Sequence, residues 1–153
     1  MANTYTQLSI HGVFAVAHRE NIIVAPWRDR LHQYLASILA SETNYALAVG
    51  DWKDHVHVFF EMHPTQSVSK VMQVIKSKSS GWINDNKLVQ GHFNWQEGYG
   101  AFAHARSQRH QVIQYIMHQE EHHRHTTFKE EYIGILEAHE LAFDDRYLFD
   151  FFE

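Results

Sequence analysis

Apolar positions along the chain recur at two spacings, one near two residues and one between three and four, and the switches between them mark out elements. Residues 4–17, TYTQLSIHGVFAVA, alternate in part and are rich in β-branched and aromatic types, which predicts a strand. Pro26 stands where a first helical turn tolerates it, and Leu31, Tyr34, Leu35, Ile38 and Leu39 follow at helical spacing, so a helix is expected over about 26–42. YALAVG at 45–50 and HVHVFFEM at 55–62 flank Gly50-Asp51-Trp52-Lys53-Asp54 and read as a two-stranded hairpin. Ser67 or Ser69 can cap a helix over about 67–86, whose apolar stripe is Val68, Val71, Met72 and Ile75. Glycines at 91, 98 and 100 with Trp95 and Tyr99 predict a loop with aromatic anchors leading into a short strand near 101–105. A third helix starts at Ser107 and runs to about 122, and a fourth covers 128–139 before an acidic, aromatic tail over about 140–153. The order β-α-β-β-α-β followed by helices is that of an α+β, ferredoxin-like or RRM-like antiparallel sheet with helices on one face plus C-terminal helices. Many functions use that architecture.

At 153 residues, 44% of them hydrophobic, the chain is the size of one domain spanning 1–153. Charged or histidine residues interrupt every apolar stretch, and no charged-then-apolar leader opens the chain, so a soluble cytoplasmic protein without a membrane span is expected. The absence of cysteine excludes thiol catalysis, disulfides and thiolate zinc sites. The formal charge of -5 argues against a nucleic-acid partner until its distribution is considered. Eight acids from Glu130 to Glu153 oppose only Lys129 and Arg146, which leaves the first 127 residues close to neutral. Lys70, Lys76, Lys78 and Lys87 then form a locally basic stretch against Asp85.

Two motifs carry candidate chemistry. In His55-Val56-His57 the imidazoles are two apart on a strand and project from one face, as two neighbouring nitrogen ligands would. The bland alternative is a partly exposed pair in a chain with 14 histidines. Tyr115 and Gln119 are four apart on the third helix, which brings a phenol and an amide oxygen to one side. Here the bland alternative is a core tyrosine with a solvated glutamine. His118 and His122, also four apart, admit a zinc reading for which no further ligand is evident.

The segments DHVHVFF, SVSKVMQVIKSKSSGWIN, FNWQEGYGAF and VIQYIMHQEEHH occur in that order, and with them the chain resembles the single-tyrosine HUH transposases of small bacterial insertion sequences and their repeat-associated relatives. The resemblance spans roughly residues 5–150. It implies that His55 and His57 bind a divalent cation, Mg2+ or Mn2+, with Gln119 as third ligand, and that Tyr115 is the nucleophile. It further implies cleavage and rejoining of single-stranded DNA through a 5′-phosphotyrosine, recognition of hairpin DNA, and a homodimer. Lys70, Lys76 and Lys78, with Ser79, Ser80 and Trp82, are candidates for phosphate contact and base stacking; a solvated helix face around a core tryptophan is the alternative. Two imidazoles and an amide suit manganese better than magnesium, which ordinarily prefers oxygen ligands. No general base is evident. The rival functions are a catalytically idle DNA-hairpin binder or repressor of the same fold, and a histidine-rich metal-dependent hydrolase of small substrates.

Overall fold

The computed structural model describes residues 3–18 and 22–152. Strands β1 (Ser9–Ala15), β2 (Tyr45–Asp51), β3 (His55–Glu61) and β4 (Gly100–His104) form one sheet in the order β2-β3-β1-β4, with every neighbouring pair antiparallel. Helices α1 (Ala25–Ser41) and α2 (Val68–Asp85) connect β1 to β2 and β3 to β4, the split βαβ arrangement that the order of elements predicts. The first strand is shorter than its apolar pattern. Beyond Ala15 the chain leaves the ladder, and Val16 makes an isolated bridge to Trp95 while Ala17 N–H donates to the Asn94 carbonyl at 3.0 Å.

Alternation along the central strands gives the sheet two chemically different faces. Ile10 and Phe14 of β1, with Val56, Val58 and Phe60 of β3, pack against Leu31, Leu35 and Leu39 of α1 and Met72 and Ile75 of α2. The Ser67 hydroxyl accepts from Lys70 N–H at 3.2 Å and fixes the start of α2. The intervening residues, His11 of β1 and His55 and His57 of β3, are buried on the other face. That face is covered by α3 (Arg109–Met117), α4 (Gln119–His122) and α5 (Phe128–Ala138). Helices therefore lie on both sides of the sheet, which explains why β1 and β3 carry almost no exposed position.

The third helix does not run unbroken to residue 122 as its periodicity suggests. His118 adopts φ -112, ψ 33, outside the helical region, and its Nδ1–H donates to the Gln114 carbonyl at 2.6 Å. That oxygen is the one the His118 backbone N–H would take in a continuing α-helix, so the side chain replaces the backbone donor and the axis turns. Gln119 thereby opens a new turn and is buried. The acidic tail folds back: Phe149 packs on Phe128 and Tyr132, and Gln96 bridges to the Asp150 backbone through both amide atoms. Among the described residues no helix is long and apolar enough to cross a membrane.

Candidate metal centre and its tyrosine

Alternation in β3 aims His55 and His57 at the α3–α5 face, where both rings are fully enclosed. His55 Nδ1 lies 2.8 Å from Asp54 Oδ1, and a carboxylate can only accept, so Nδ1 carries the proton and Nε2 turns inward. Nε2 is 3.0 Å from Gln119 Oε1 and 3.1 Å from Glu131 Oε1. His57 Nδ1 pairs with Nε2 of the buried His11 at 2.8 Å, leaving its own Nε2 3.3 Å from the same Glu131 oxygen. Two strand imidazoles, an amide oxygen and a carboxylate thus converge on one point. His55, His57 and Glu131 form a group whose ligand atoms could hold a metal ion; His122, His123 and Glu131 form another around the same carboxylate.

Glu131 is the residue that sequence reasoning missed. It stands in the first turn of α5, which a capping box fixes: Thr127 Oγ1 accepts from Glu130 N–H at 3.1 Å, and Glu130 Oε1 accepts from Thr127 N–H at 3.0 Å. A carboxylate near that helix N-terminus also meets the favourable end of the helix dipole. The signal was present, because Phe128, Glu131, Tyr132, Ile135 and Leu136 share one helical stripe, and an acid on a buried stripe is rarely placed there by chance. Its second oxygen faces the other way. Glu131 Oε2 accepts from Gln119 Nε2 at 3.0 Å, lies 3.4 Å from His122 Nε2, and accepts a short hydrogen bond from the Tyr115 hydroxyl.

The charges follow from this packing. Burial opposes ionisation of Glu131, but His57, His123 and His55 hold its carboxyl far below the usual carboxylate range. Burial likewise works against a charge on His55, yet its hydrogen bonds to Asp54 and Glu131 prevail and raise it from 6.5 to about 9. His57 goes the opposite way, lowered by burial against the pull of Glu131. Burial and then the neighbouring Glu131 charge push the Tyr115 phenol well above its ordinary 10.0.

The structure thus brings Tyr115, Gln119, His55 and His57 together within one chain. It separates them from the α2 residues, which lie behind the other face of the sheet. There Lys76 Nζ donates to the carbonyls of Gln96 and Gly98 at 2.7 and 2.6 Å, and Trp82 stacks on Tyr34 with ring centroids 5.1 Å apart. Ser79 is buried and accepts from the Trp95 indole, and the Ser80 hydroxyl donates to the Ser77 carbonyl. Lys70 is exposed, and Lys78 lies 3.7 Å from Glu42. His118 is exposed and tied to its own helix, so His122 is paired with His123 and Glu131 instead.

Fold and site define an α+β protein with a buried, histidine-rich centre set against a tyrosine. The chain belongs to the IS200-like transposase family, whose model matches residues 4–119. Among curated proteins none matches it. Among solved structures it is similar to a putative transposase from Deinococcus radiodurans R1, with 21% identity, a TM-score of 0.63, and coverage of 76% of this chain and 93% of that one. It is also similar to a REP-associated tyrosine transposase bound to a REP hairpin, with 12% identity, a TM-score of 0.59, and coverage of 80% and 73%. Both likenesses show the shared fold. Glu131 and His123 lie beyond the residues that the family model matches.

Proposed function

We propose that this chain cuts and rejoins single-stranded DNA at a hairpin-marked site through a covalent 5′-phosphotyrosine at Tyr115. The observation that carries this reading is the single Glu131 carboxylate, one oxygen of which faces His55 and His57 while the other accepts the Tyr115 hydroxyl. A nucleophile and a cation-competent cluster are thereby coupled through one residue.

The donor set fits a divalent cation. With Nδ1 of His55 committed to Asp54, its Nε2 meets two oxygen acceptors, Gln119 Oε1 and Glu131 Oε1, through a proton whose place a cation can take. His55, His57, Gln119 and Glu131 would hold Mg2+ or Mn2+, which supplies charge neutralisation to a scissile phosphate. The chain's own groups account for the remainder. The Tyr115 oxygen, oriented by its hydrogen bond to Glu131 Oε2, forms the new bond to phosphorus as the P–O3′ bond breaks; the phenol gives up a proton and the released 3′-oxygen takes one up, so the exchange is proton-neutral. A 3′-hydroxyl of a second strand reverses these steps, so rejoining needs no ATP. An open cleft beside Tyr115, lined by His11, His104, Val112, Ile135 and His139, gives a strand access to the phenol.

Hairpin DNA is the proposed partner, by analogy with the hairpin-bound structural neighbour. Lys70 and Lys78 are the α2 side chains best placed for phosphate contact, since Lys76 and Trp82 are engaged internally. Because strand and tyrosine helix come from one chain, the expected homodimer is not needed to complete the centre. The test is a 3′-labelled hairpin oligonucleotide incubated with the protein and Mn2+, read on a denaturing gel. The label should move with the protein, and EDTA or Tyr115→Phe should abolish the adduct. Binding without any adduct would instead indicate an idle hairpin binder, and cleavage retained in Tyr115→Phe would indicate a hydrolase.

A further inference from the structure

We infer that the cleft beside Tyr115 is a subsite for one unpaired nucleobase of a nucleotide adjoining the scissile phosphate, and that His104, Gln111 and His139 make the cut depend on that base. This rests on the reading that Tyr115 attacks single-stranded DNA; it adds what the protein reads at the point of cutting.

The cleft runs between α3, which gives Gln111 and Tyr115, and the C-terminal end of α5, which gives Ile135, Ala138 and His139, with His104 of β4 on the sheet beneath them. Its volume of about 210 Å3 is below the roughly 300 Å3 at which sites for larger ligands begin, and suits a single flat ring system. The walls suit one too. Phe102 stacks on His139 at 29° between planes and His104 meets it edge-on at 85°, so that imidazole is held as a fixed aromatic surface, while Tyr115 supplies a second ring. Stacking on such rings is how proteins hold unpaired bases whatever their sequence. Among the described residues no carboxylate lines the cleft, so a polyanionic strand meets no like charge there.

Two polar groups can then read the edge of the base. His104 Nε2 is buried and has no hydrogen-bond partner among the described residues. A buried ring nitrogen left so is costly, and a polar atom on a base edge satisfies it. Gln111 is exposed at the rim, where its amide offers both donors and an acceptor. His104, Gln111 and His139 stand outside the histidine and Glu131 groups that could hold a metal. Chain connectivity selects the nucleotide: the scissile phosphate must reach the Tyr115 hydroxyl, and the sugars on either side of that phosphate carry bases within reach of the walls that flank the ring. An unpaired base is free to turn out of its stack and enter.

The test uses full-length protein, Mn2+ and a pool of hairpin oligonucleotides with a randomised single-stranded flank, and both pieces of every cut strand are sequenced. For the wild type, one of the two positions beside the cut should show a base preference of at least about 5-fold. His139→Ala should flatten that preference to within about twofold, as should Ala138→Trp, which fills the cleft from an exposed position; His139→Phe, which keeps a ring in the wall, should retain it. An abasic nucleotide at the preferred position should lower adduct yield about 10-fold for the wild type and within about twofold for His139→Ala, a coupling that a purely structural role for His139 does not produce. Ala138→Trp carries the test if His139→Ala disturbs the fold, which circular dichroism reports. No preference at either position beside the cut, or one that survives in the folded variants, would overturn the inference and leave the cleavage reading intact. No adduct from any member of the pool would remove the cleavage reading and the inference together.

Discussion

At the scale of single residues, the site is a problem of where protons and lone pairs go. Three histidines, one raised and two lowered, predict a stability maximum for the metal-stripped protein. His55 is raised to about 9, so its contribution is complete below its ordinary 6.5 and is lost as pH climbs from 6.5 towards 9. His57 and His11 are lowered by burial, so below 6.5 the unfolded chain takes up their protons more readily and stability falls on the acid side. The melting temperature of stripped protein should therefore peak near neutrality and drop by several degrees towards pH 9, and Asp54→Asn should flatten the alkaline limb because it removes one of the bonds that raise His55. A flat profile from pH 6 to 10 would contradict this assignment. The histidine pair was legible in the sequence because β periodicity puts both rings on one face; the tyrosine–glutamine pair was legible as a spacing of four, although the break at His118 brings the two together from separate helices. Glu131 and His123 were not, since neither belongs to a spaced motif; only the clash of an acid with the apolar stripe of α5 marks the former.

At the scale of elements, the pattern located β2, β3, β4 and the main helices within a few residues, because each apolar stripe meets a core, and overran β1 at both ends. It could not show the break at His118, which depends on an imidazole taking a carbonyl from its own helix. Nor did it show what sets α3 against β2. Gly50 does: a Cβ there would meet the Ile116 carbonyl oxygen and side chain well inside contact distance. Gly50→Ala should cost on the order of 1–3 kcal/mol, and adduct formation should fall further than stability, since displacing α3 moves Tyr115 away from Glu131. Gly81, in α2, has open space around its would-be Cβ, so Gly81→Ala should be neutral or raise stability by up to about 1 kcal/mol. Denaturant midpoints for the two variants, read beside adduct yield, check both.

At the scale of the whole molecule, both faces of the sheet are covered, and the face away from α1 and α2 is occupied by chemistry. Four elements supply the centre: β1 gives His11, β3 the histidine pair, the broken α3–α4 segment Tyr115, Gln119 and His122, and α5 Glu131. Assembly within one chain has a direct consequence. Mixing Tyr115→Phe with His57→Ala protein should not restore adduct formation, since neither copy holds an intact centre; recovery towards about a quarter of the wild-type yield, the share that random pairing of the two variants allows, would show exchange of the tyrosine helix between subunits. The acidic C-terminal segment packs through Phe149 on Phe128 and Tyr132, which ties the tail to the helix carrying Glu131. Replacing Phe149 by Ala should destabilise the protein by about 3–5 kcal/mol, measured by chemical denaturation.

The central claim is that Tyr115 and the Glu131-linked histidine centre act as one unit on DNA. Peptide mass spectrometry of the protein after reaction with the hairpin oligonucleotide tests it most directly. The account predicts a 5′-phosphonucleotide attached to the peptide that contains Tyr115, formed only with divalent metal and absent from Glu131→Ala and His57→Ala. A nucleotide on a different residue, or an adduct at Tyr115 that forms equally well in those variants, would contradict it.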